Sequence, residues 1–146
     1  MRRKRLTLLA VGVVFLLLVL LIGRAVLMPS PRALDAGQVS EVDVRFEPLG
    51  EDRVTLPGAT VTDQAAIAAI VDAVRVGQET TDHKCGHLGT VTFQRSLGGP
   101  ARIEILPGHD PEWYEFRTGG RIYRTPRAGF AAAMRQAGVE VPLECR

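Results

Sequence analysis

The sequence predicts an α+β protein: an N-terminal transmembrane helix, then a small domain with a mostly antiparallel sheet and two helices packed on one face. Three observations predict it. An uninterrupted apolar stretch, Leu6–Gly23, follows four basic residues. Beyond it, short runs with apolar and polar residues in alternation are separated by glycine and proline turns, the pattern of antiparallel strands. Two further segments carry apolar residues at helical spacing, and runs of strands combined with separate helices point to helices layered on one side of a sheet.

The apolar stretch, LTLLAVGVVFLLLVLLIG, has no charge and one polar side chain, Thr7. As a helix it runs about 27 Å at 1.5 Å per residue, close to the roughly 30 Å hydrocarbon core of a bilayer. Arg2, Arg3, Lys4 and Arg5 precede it, a bias that keeps residues 1–5 cytoplasmic and sends the rest across. The rival reading is a cleaved secretory signal, whose apolar region is usually about 7–15 residues long and ends in a small-x-small site. Here the stretch is longer, and the nearest match, Gly23-Arg24-Ala25, has a charge at its centre, so an uncleaved signal-anchor is expected over 6–23.

Pro29, Pro31 and Gly37 punctuate the following segment, and residues 24–38 read as a linker. The domain proper is expected over 39–146. Val39–Phe46 alternates, with Val42, Val44 and Phe46 on one face and Glu41, Asp43 and Arg45 on the other. Pro48-Leu49-Gly50 turns the chain, Arg53–Leu56 reads as a short second strand, and Pro57-Gly58 ends it. Thr62 or Asp63 caps a helix over about 64–76. Ile67, Ile70, Val71 and Val74 fall at i, i+3, i+4 and i+7 along it, and Gly77 is a natural stop.

A polar loop is expected over Gln78–Gly89. A meander then reads as strands at Thr90–Arg95, Ala101–Leu106, Glu112–Arg117 and Arg121–Arg124, with turns at Gly98-Gly99-Pro100, Pro107-Gly108 and Gly119-Gly120. Thr125-Pro126 opens the final helix, with Thr as N-cap and Pro at N1. Phe130, Met134 and Ala137 line its inner face, and Gly138 stops it.

Charge narrows the partners. The chain holds 18 basic and 16 acidic residues. Six of the basic residues and no acid lie in residues 1–33, which leaves twelve against sixteen and a net charge of −4 in 34–146. A mildly acidic domain argues against nucleic acid as a partner. Asn is absent and Lys occurs only at positions 4 and 84, a composition that fits a GC-rich, bacterial genome. The sequence thus places the protein in the cell membrane as a single-pass protein, N-terminus cytoplasmic and domain extracytoplasmic. Its partners are then the lipid bilayer and another envelope or membrane protein. This arrangement resembles that of small membrane-anchored bacterial proteins, and no motif in it assigns a site residue.

Two readings compete at the most unusual local sequence, Asp82-His83-Lys84-Cys85-Gly86-His87. Cys85 and Cys145 are the chain's two cysteines. In an oxidising compartment they are expected to form a disulfide, closing a loop of about 60 residues worth roughly 4 kcal/mol in the chain-entropy model. Alternatively, His83, Cys85 and His87 alternate along an extended segment, share one face and converge on copper or zinc, with His109 and Asp110 as further ligands. Their spacing matches no closed zinc motif, and no cofactor is otherwise implied. No GxSxG, SxxK, HExxH or P-loop pattern occurs, and no nucleophile–base pair stands out, so the reading leans away from an enzyme. Acids at Asp82, Asp110, Glu112 and Glu115 sit around turns, as on an ordinary wet surface.

Trp113 stands apart from Tyr114 and Phe116 by strand alternation. One set is core, and a half-exposed Trp113 is a candidate partner contact, against the plainer reading in which it covers a sheet edge or lies under the His109–Pro111 loop. The function expected is a membrane-anchored binding or structural module acting through a protein partner in the cell envelope. The alternative is a metal-binding domain using the His83-Cys85-His87 loop.

Overall fold

The structure, a computed structural model, describes residues 13, 30–48, 56–81, 86–106 and 110–141. It contains a sheet of seven strands: β1 (Val39–Phe46), β2 (Ala59–Val61), β3 (Gln78–Thr80), β4 (Gly89–Arg95), β5 (Ala101–Leu106), β6 (Trp113–Thr118) and β7 (Arg121–Pro126). Helix α1 is Gln64–Arg75 and helix α2 is Arg127–Gln136. The strand order is β2-β1-β4-β5-β6-β7-β3, and every neighbouring pair is antiparallel. The predicted α+β architecture is therefore present.

Alternation decides which face is core. Val42 and Val44 of β1, Val91 and Phe93 of β4, Ile103 and Ile105 of β5, and Tyr114 and Phe116 of β6 are buried on one face. Both helices bring their stripes into the same cluster: Ile67, Ile70, Val71 and Val74 from α1, and Phe130, Ala133 and Met134 from α2. Phe130 meets Tyr114 and Phe116 edge-on, with ring centroids 5.5 and 4.9 Å apart, a geometry favoured by the aromatic quadrupole. Ahead of β1, two short 3-10 helices, Pro31–Ala33 and Ala36–Gln38, bring Leu34 into the core at 3% exposure.

Asp63 caps α1, its Oδ2 accepting from Ala66 N at 2.8 Å. Gly138 closes α2 with φ +76°, the left-handed conformation that glycine adopts at low cost. Three details differ from expectation. The second strand lies after Pro57-Gly58 rather than before it; 53–55 of the expected run fall outside the described residues. Part of the expected polar loop is strand β3, which pairs with β7 at the far edge. Thr125 does not cap α2. The strand continues through Pro126, and the Thr125 hydroxyl bonds to α1 instead.

The membrane placement is corrected. Among the described residues no helix is long and apolar enough to cross a membrane, and Leu6–Gly23, apart from Val13, lies outside them together with residues 1–5. The single-pass arrangement with a cytoplasmic N-terminus and an extracytoplasmic domain therefore has no support in the structure.

Candidate functional site

The residues singled out in the sequence are not brought together. His83, Cys85, His109 and Cys145 all lie outside the described residues. No disulfide joins any described residue, and the Cys85–Cys145 bond is set aside. His87 is described and exposed, with its Nε2 3.4 Å from Glu47 Oε1 just beyond the end of β1. Both side chains are widely solvated, an arrangement typical of a surface pair. Among the described residues no group of three or more His, Cys, Asp or Glu is placed to hold a metal ion.

Trp113 is where geometry gathers. It opens β6 directly after a tight turn in which Asp110 Oδ1 accepts from Glu112 N at 2.9 Å and Asp110 O accepts from Trp113 N at 3.1 Å. Arg127, the first residue of α2, fastens this turn from the helix side. Its backbone N donates to Glu112 O at 2.8 Å, and its Nη2 donates to Trp113 O at 3.3 Å and Asp110 O at 3.5 Å. Its guanidinium also lies 4.6 Å from the Tyr114 ring centroid. The turn and the start of the helix are thus one unit.

On the face opposite the helices, β6 presents Trp113, Glu115 and Arg117, and β7 presents Ile122 and Arg124. The Gly119-Gly120 turn sets this register. Both glycines have positive φ, 57° and 75°, as a two-residue hairpin turn of type I′ requires. The pairing then runs Thr118↔Arg121, Arg117↔Ile122, Glu115↔Arg124 and Trp113↔Pro126. Arg124 is therefore diagonal to Trp113 on one face, within reach for long side chains. Its Cζ sits 4.8 Å from the Trp113 ring centroid, a cation–π contact.

The neighbouring arginines are paired: Arg117 with Glu104 at 3.3 Å and Arg121 with Glu79 at 3.3 Å. Arg124 differs. Its Nε is buried and has no hydrogen-bond partner, and no ion pair joins it to a described carboxylate. Trp113 itself is half-buried. The arrangement is a cation held against an aromatic ring at one end of the sheet. Reading the sequence alone singled out Trp113 but missed Arg124 and Arg127. The signal for Arg124 was present: a two-residue turn at positions 119 and 120 fixes 115 opposite 124, and hence 113 beside it.

No family model and no curated protein matches the chain. Among solved structures the chain is similar to a thioesterase-like protein from Clostridium sporogenes. The identity is 11%, the TM-score 0.47, and the match covers 74% of this chain and 100% of that one. The likeness is too slight to carry an activity across.

Proposed function

We propose that this domain is a binding or structural module that acts through a protein partner, with Trp113 at the point of contact. One observation carries the reading: a half-buried tryptophan, held in place by the Arg127-fastened turn and in cation–π contact with Arg124 on the face of the sheet opposite α1 and α2. Trp and Arg are the residues most enriched among those that dominate binding energy at protein interfaces. A side chain already held in one position loses little conformational freedom when a partner covers it. The metal-binding alternative gains no comparable observation, since His87 faces Glu47.

The test is site-specific cross-linking in cells, with a photoreactive phenylalanine analogue at Trp113 and, as control, at the exposed Gln136 of α2. The expected result is a discrete protein adduct from position 113 only, whose partner is retained less well by the Trp113→Ala variant. Equal adducts from both positions, or none from position 113, would overturn the assignment.

A further inference from the structure

Resting on that reading, we infer that the Trp113–Arg124 pair recognises a carboxylate, carried by an acidic segment of the partner protein. Three features argue for it. The first is the state of Arg124. Its cross-strand neighbour Glu115 stands directly opposite, yet among the described residues Arg124 has no ion pair and its buried Nε has no hydrogen-bond acceptor. Arg117 and Arg121, on the same hairpin, each meet a glutamate. The second is geometry. A guanidinium held against Trp113 at 4.8 Å is restrained in position, and its fork offers parallel N–H donors that match a planar carboxylate.

The third is solvation. Part of the Arg124 head is already stripped of water in the free protein, so an arriving carboxylate has less water to displace from it. The ring keeps the cation in place, and the Nη end of this partly exposed side chain is the docking point. A partner Asp or Glu beside an apolar residue would satisfy both members of the pair, the carboxylate on Arg124 and the apolar group on Trp113.

The chain contains a single tryptophan, so intrinsic fluorescence reports this site alone. The full chain is titrated with an end-blocked hexaglutamate peptide, and separately with hexaglutamine, inorganic phosphate and a short single-stranded RNA. Hexaglutamate is expected to saturate the signal, with affinity falling as salt rises. Arg124→Gln is expected to weaken it at least about tenfold. Arg124→Lys, which keeps the charge but not the fork, is expected to fall between wild type and Arg124→Gln, and guards against a Gln variant that folds poorly. Overturning results are no saturation by hexaglutamate, equal response to hexaglutamine, wild-type affinity in both variants, or tighter binding of phosphate or RNA than of hexaglutamate. A cross-link at position 113 with any of these results would leave the protein-contact reading standing and remove only the carboxylate.

Discussion

Thr125 Oγ1 donates a 2.6 Å hydrogen bond to the carbonyl oxygen of Ala73, fastening β7 to the last turn of α1. The last carbonyls of a helix have no intrahelical donor, and in a packed interior water cannot serve them. Thr125, 1% exposed, supplies the donor. Thr125→Val keeps the shape and removes the hydroxyl, leaving the Ala73 carbonyl unsatisfied. It is expected to cost about 1–3 kcal/mol, read as a lower urea midpoint at unchanged slope.

Two glycines separate close approach from simple helix propensity. A Cβ at Gly89 would lie 2.3 Å from Arg45 O and 2.9 Å from Phe46 Cα, where β4 meets the end of β1. Both obstacles are backbone, which has no rotamer to yield. Gly89→Ala is expected to destabilise by at least about 2 kcal/mol. A Cβ at Gly129 meets nothing within 4 Å, and the residue sits in the first turn of α2. Gly129→Ala is expected to stabilise by up to about 1 kcal/mol. Denaturant unfolding of the two variants side by side checks both signs.

Joint replacement of His83 and His87 by Ala tests the metal reading directly. The exposed His87–Glu47 pair belongs to a class worth about 0–1 kcal/mol, so stability is expected to change by no more than that, and partner retention not at all. Metal content of wild type and variant, measured after purification without chelator, is expected to be equal. A stoichiometric metal lost in the variant would restore the loop as the site.

The strands that sequence reading placed well, β1, β4, β5 and β6, share one property: along most of each strand buried and more exposed residues alternate, so period-two alternation is written into the chain. The stripe Ile67–Ile70–Val71–Val74 made α1 legible for the same reason. The edge strands β2 and β3 were not legible, because three residues such as Gln78–Thr80 hold too little alternation to see. Thr125 was misread because threonine before proline has two physical uses, helix cap and buried hydroxyl, and only the third dimension shows Ala73 beside it. At the candidate site, Trp113 was visible as an isolated aromatic. Its partner Arg124 lies eleven positions away along the chain and is close only through the register of the Gly119-Gly120 turn.

Tyr114 makes stability depend on alkaline pH. It is almost fully buried between the sheet and Phe130. Burial raises its phenol above the ordinary value of 10.0, while the nearby Arg127 guanidinium pulls in the opposite direction and is the weaker influence. A group whose pKa is higher folded than unfolded binds its proton more tightly in the native state. Its contribution is fully present below about pH 10, where both states hold the proton. Above that, the unfolded chain ionises first, and stability is lost as pH rises toward the folded value. Denaturant midpoints measured from about pH 8 to pH 11 are expected to fall at the upper end. The fall should be shallower in Tyr114→Phe, which has no phenol to ionise. Removing the cation, as Arg127→Gln, is expected to raise the Tyr114 pKa further, seen as a later rise in tyrosinate absorbance. A fall of the same steepness in Tyr114→Phe would show that another group carries the dependence.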